Sequence, residues 1–80
     1  MDKESIKIIL TQVFHEVFED STIVISENLT ANEVENWDSI SNVMMIDRVE
    51  KEFNIKLKLK EVVSMQNVGD LINAISTKVE

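Results

Sequence analysis

The sequence predicts an all-α fold, a small irregular antiparallel four-helix bundle of three main helices and one short one. Three observations predict it. Apolar residues recur at helical spacing in three separate stretches, the second stretch runs without glycine or proline, and a short apolar segment sits between the second and third. Eighty residues are expected to form one domain spanning positions 1–80. Apolar residues make up 44% and charged residues 29%, a globular composition with enough material for a core. With no cysteine, the helices must hold by packing alone.

In the first helix Ile6, Ile9, Leu10, Val13, Phe14 and Val17 form one apolar stripe. Lys3, Lys7, Thr11, Gln12 and Glu16 occupy the other side, and Ser5 stands where a cap is expected. From Glu19 to Trp37 the periodicity is lost, which predicts a long ordered loop pinned by Ile23, Val24, Ile25, Leu29 and Val34. A strand over Thr22 to Ile25 would have no partner.

Asp38 is positioned to cap a second helix that continues to Phe53. Met45, Val49 and Phe53 recur every four residues and should face the core, leaving Glu50 and Lys51 toward water. Ile40, Val43 and Met44 lie around the cylinder from that stripe, so a second apolar strip should be partly exposed. Ile55, Leu57 and Leu59 alternate with Lys56, Lys58 and Lys60. With no second strand to pair with, this run is expected to be an extended connector. It leads to a short helix near Leu59 to Met65, whose contacts come from Val62, Val63 and Met65. Asn67 then caps a final helix carrying Val68, Leu71, Ile72, Ile75 and Val79, with Gly69 in its first turn.

The net charge of −7 argues against nucleic acid, whose recognition needs a basic patch. No apolar run is long enough for a membrane span or a secretory leader, so a cytoplasmic location is expected. Catalysis lacks its parts: there is no glycine-rich phosphate loop, no HExxH and no calcium loop. The single histidine, His15, is expected to be a surface residue rather than a base.

What remains is Glu35-Asn36-Trp37-Asp38-Ser39-Ile40, a serine in the first turn of a helix after a long loop. First-turn N–H groups lack intrahelical partners and the helix dipole places partial positive charge there, so a phosphate esterified to that hydroxyl would be stabilised. Taken alone, Asp38 and Ser39 are an ordinary helix start.

With this helix running to Phe53, the Ile55 and Leu57 connector, the short segment to Met65 and the Val68-Gly69-Asp70-Leu71 helix, the chain resembles the acyl carrier protein family over nearly its whole length. The family's Asp-Ser-Leu motif is matched at Asp38 and Ser39 and replaced conservatively at Ile40. The resemblance implies a non-catalytic carrier. A phosphopantetheinyl transferase would attach 4′-phosphopantetheine from coenzyme A to Ser39, with Asp38 capping the helix beside it. The arm's thiol would hold acyl or aminoacyl groups as thioesters and supply the sulfur that the chain lacks. It further implies that loading and consuming enzymes dock on the second helix and the loop before it, here Trp37, Ile40, Val43, Met44, Asp47 and Glu50. A shuttle that visits enzymes is most useful as a monomer, which is the expected state. Some members shelter acyl chains between their helices.

Trp37 before the motif, Met44 at an outward position, and Arg48 and Lys51 among the acids depart from the fatty-acid-synthesis pattern. They resemble stand-alone carriers of specialised pathways, such as surface polysaccharide, secondary-metabolite or aminoacyl transfer systems. Between Glu16 and Asp38 all charges are acidic, which suits both a solvated loop and steering of a basic partner. Lys56, Lys58 and Lys60 are expected to be solubilising. Trp37 is expected to pack at the helix start more than to anchor a partner. The rival reading is an unmodified acidic helical adaptor for a basic protein; a small hydrolase has only its carboxylates in support.

Overall fold

The computed structural model describes residues 1–79. Four helices, α1 (Lys3–Val17), α2 (Ser39–Phe53), α3 (Leu59–Ser64) and α4 (Val68–Val79), account for the regular structure, with one 3-10 turn at Ala31–Glu33 in the long loop. No strand occurs among the described residues. Thr22 to Ile25 is irregular, as a segment without a pairing partner must be.

Helix α1 starts earlier than a Ser5 cap would have it. Asp2 is the cap, and its carboxylate accepts the Ser5 N–H at 2.8 Å. Ser5 is the third helical residue, and the Ile6 N–H already donates to the Asp2 carbonyl at 3.2 Å, so the helical hydrogen bonds begin at Asp2. Ile6, Leu10, Val13 and Phe14 form the α1 side of the core, against Met45, Val49 and Phe53 of α2 and Val68, Leu71, Ile72 and Ile75 of α4. Helix α1 packs on both α2 and α4. Phe18, just beyond α1, is buried as deeply as Phe14 and stacks edge-on against it with ring centres 5.2 Å apart. Each such side chain removed from water contributes about 2–3 kcal/mol.

Both longer chain reversals use a left-handed residue. Glu19 (φ 51°) follows α1, where the Asp20 N–H reaches back to the His15 carbonyl at 3.2 Å; Asn54 (φ 54°) follows α2, where the Ile55 N–H donates to the Glu50 carbonyl at 3.0 Å. The connector after Asn54 is extended, as expected, but it folds back on α2. Its Leu57 N–H donates to the Glu50 carboxylate at 2.8 Å. Glu50 is therefore half-buried and structural rather than turned to water. Val62 of α3 and Met65 just after it are half-buried while Val63 is 71% exposed, because residues three apart share a helix face and the one between them at i+1 points away from it.

The loop from Glu19 to Trp37 is fastened along its length. His15 is half-buried, and its Nε2 meets the Ile23 carbonyl at 2.8 Å, so it serves as a loop tie rather than a free surface residue. Asn36 Nδ2 donates to the Phe18 carbonyl at 2.9 Å. The first turn of α4 closes the middle: the Val68 N–H donates to Leu29 O and the Gly69 N–H to Glu27 O, both at 2.9 Å. Gly69 is required by this approach, since a Cβ there would sit 2.8 Å from Glu27 O. Asn67 caps the same helix through the Asp70 N–H at 2.9 Å.

Candidate functional site

The start of α2 is over-determined. Asp38 accepts the N–H groups of Ile40 at 3.0 Å and Ser41 at 2.8 Å, while the Asp38 N–H donates to Ser41 Oγ at 2.8 Å. Ser41 in turn donates its hydroxyl proton to the Asn36 carbonyl at 2.7 Å, linking the cap to the loop anchored on Phe18. These bonds, that of the Ser41 N–H first, hold the Asp38 carboxyl below the usual carboxylate range.

Ser39 is the first residue of α2 and is exposed. Its hydroxyl is engaged by no other group among the described residues. The capping pattern also changes what the first turn has to offer. Three of its N–H groups, those of Asp38, Ile40 and Ser41, are already taken. The Ser39 N–H is the donor left for an anion on its own side chain.

Trp37 packs beneath this turn. Its ring lies edge-on to Phe14 and tilted against Phe18, each with centres 5.3 Å apart, and its Nε1 donates to Asn42 Oδ1 at 2.9 Å. Beside Ser39 opens a cavity of about 360 Å³. Met45, Ile46, Val62, Met65 and Leu71 make its apolar floor, and Ser39, Asn42, Gln66 and Asn67 stand among its polar wall residues. The volume falls in the lower part of the range for small-molecule sites.

Outside the cavity, α2 presents Ile40, Val43 and Met44 at 74%, 68% and 53% exposure. Asp47 is exposed beside them and pairs with Lys51 at 3.0 Å. Leu59, also exposed, joins Val43 along a shallow groove between α2 and the connector. Trp37 and Glu50 are half-buried: Trp37 packs on two phenylalanines, and Glu50 lines the same groove while its carboxylate holds the connector. Several of the acids between Glu16 and Asp38 are occupied: Glu16 at the end of α1 pairs with Arg48, and in the loop Asp20 accepts from Thr22 and Glu33 accepts the Thr30 N–H. Of the lysines, Lys58 opens α3, its N–H donating to Glu61 Oε1 at 3.0 Å.

No family model matches the chain, and no curated protein does. Among solved structures, the solution structure of a holo acyl carrier protein from Geobacter metallireducens is similar to it, with a TM-score of 0.86 and 36% identity over 90% of this chain and 83% of that one. The chain belongs to the acyl carrier protein family. Membership accounts for the all-helical fold of three long helices and one short. It also gives the start of α2 its interest, since the family motif falls there. No described helix is long and apolar enough to cross a membrane. The family resemblance allowed for a shelter between the helices, but nothing in the sequence places it beside Ser39 or singles out Asn42. A cavity is a joint property of α2, α3 and α4, and Asn42 looks like any polar residue on a helix surface.

Proposed function

We propose that the protein is a carrier for acyl or aminoacyl groups, with Ser39 the attachment point of a 4′-phosphopantetheine arm. The observation that carries this reading is an exposed, unengaged serine hydroxyl on the first turn of a rigidly capped helix, at the lip of an apolar cavity. The arm supplies a thiol on which acyl groups ride as thioesters. Ser39 Oγ bonds to the phosphorus that carries the pantetheine half of coenzyme A. The bond to the nucleotide half breaks, the nucleotide departs as its bisphosphate, and the serine proton passes to the transferase. The Ser39 N–H faces the resulting phosphodiester, and Asp38 orients the turn while its charge is offset by the two N–H groups it holds.

The chain acts as one carrier domain over 1–80, as a monomer in the cytoplasm, and is a substrate of enzymes rather than an enzyme. The loading and consuming enzymes meet Ile40, Val43 and Met44, with Asp47 at the rim; apolar side chains this exposed support a docking role. Adaptable Met44 suits a surface that meets several partners. Trp37 and the mixed charge of Arg48 and Lys51 on α2 support a specialised pathway rather than housekeeping fatty-acid synthesis.

The test is incubation with coenzyme A and a promiscuous phosphopantetheinyl transferase, followed by intact mass and fragmentation. One phosphopantetheine on Ser39 is expected, and Ser39→Ala should fold with the same helical circular dichroism while gaining no mass. An unmodified chain under conditions that load a control carrier would leave an acidic helical adaptor as the better reading. An adduct on Ser39→Ala would refute the site.

A further inference from the structure

Asn42 stands one turn beyond Ser39, and its side-chain amide has a fixed orientation. The Trp37 indole is a donor only, so the Asn42 atom at 2.9 Å from Nε1 must be Oδ1. That leaves Nδ2, with two N–H donors, on a residue that lines the cavity beside Ser39. Nδ2 has no acceptor among the described residues and is not closed off from solvent. Asn42 also lines the groove beside Val43, and a plain hydrocarbon lying over Nδ2 would strip water from those donors and return nothing, a loss larger than an ordinary hydrogen bond's net gain. An oxygen acceptor on the occupant restores the bond. A site with a fixed polar group discriminates far better against a partner lacking the matching group than an apolar wall discriminates by size.

We infer that Asn42 is a specificity-determining residue that donates to an oxygen on the carried acyl group, so that the cavity prefers short hydroxy- or oxo-acyl cargo over alkyl cargo of equal length. Short cargo follows from the volume of about 360 Å³, most of whose floor is Met45, Ile46, Val62, Met65 and Leu71. The inference rests on Ser39 carrying the arm, because only a covalently delivered occupant is brought to this cavity whatever its free concentration.

The experiment loads the protein by transferase from butyryl-coenzyme A and, separately, from 3-hydroxybutyryl-coenzyme A. The two cargoes share length and thioester carbonyl and differ by one hydroxyl. Thioester cleavage by hydroxylamine is measured for each, normalised to the same thioesters of free pantetheine. The side-chain amide resonances of Asn42 are followed by ¹⁵N NMR. The 3-hydroxybutyryl form is expected to be cleaved about fivefold more slowly than the butyryl form, the equivalent of one net hydrogen bond. The Asn42 Nδ2 resonances should move on loading the hydroxylated cargo and much less on loading the alkyl one. In Asn42→Leu the order of protection should invert. Equal protection with equal Asn42 shifts in the unmutated protein overturns the inference while leaving the carrier reading intact, and does so even if the leucine variant does not fold. Failure of either cargo to load on Ser39 refutes both.

Discussion

Replacing Gly69 with alanine sets two effects of known size against each other. Alanine is the better helix former, by about 1 kcal/mol in a helix interior and less in the first turn where Gly69 lies. Against this, the new methyl would stand 2.8 Å from Glu27 O and 3.1 Å from Glu27 Cβ, and the first of these is a backbone atom that no rotamer change can move. Overpacking of this kind costs about 1–3 kcal/mol. Pushing the loop away also weakens the Gly69 N–H to Glu27 O bond and its neighbour from Val68 to Leu29, each worth about 1 kcal/mol. The balance is a net destabilisation of about 2 kcal/mol, or a fall in Tm of roughly 10 °C for a domain this small. Thermal unfolding followed by circular dichroism at 222 nm measures it. The helical signal at low temperature should be unchanged, since no helix loses its own bonds. A Tm equal to or above that of the unmutated protein would mean that helix propensity wins and that the loop yields freely, which would refute the idea that α4 clasps it.

Trp37→Ala should cost about 2–3 kcal/mol in urea unfolding, less than a fully buried aromatic because Trp37 is half-buried, and a loss below about 0.5 kcal/mol would remove Trp37 from the packing that supports α2. Acid should destabilise the fold. Asp38 (chiefly through the Ser41 N–H), Asp2 (through Ser5), Asp20 (through Thr22) and Glu61 (through Lys58) all have folded pKa values below their ordinary ones. Their stabilisation is complete above the ordinary carboxylate range and is lost as pH falls through the lowered values. Asp38→Asn keeps a capping side chain without the titration, so its Tm should fall less steeply with pH; parallel slopes would show that Asp38 contributes nothing to acid sensitivity.

The helices were legible because their signals are local. Three apolar stripes, the Asp38 and Asn67 caps and the Ser39 motif each occupy a few neighbouring residues. Where two local signals competed, the sequence alone did not decide: Asp2 and Ser5 are both capping types, and Asp2 is the cap. The loop's fastening was not legible, because its acceptors are the backbone carbonyls of Phe18, Ile23, Glu27 and Leu29, which every residue type offers equally. The same applies to Glu50. Helical phase turns it outward, and only the returning connector gives its carboxylate the Leu57 N–H. Phe18 continues the α1 stripe at the four-residue spacing of Leu10 and Phe14, so its burial was legible too, although the helix itself ends at Val17.

The clasp between α4 and the loop also has a kinetic meaning. It joins positions 27 and 29 to positions 68 and 69, so it can close only after the chain between them has been gathered, and that closure entropy is offset late. Contacts made late in folding are absent from the transition state, and weakening them speeds opening more than it slows folding. Gly69→Ala should therefore raise the unfolding arm of a chevron plot and leave the folding arm nearly in place; a slowed folding arm would put the clasp in the nucleus instead. The Ser39 turn, tied to this loop through Asn36 and Ser41, is then held in place by a gate that sets the protein's lifetime rather than its speed of assembly.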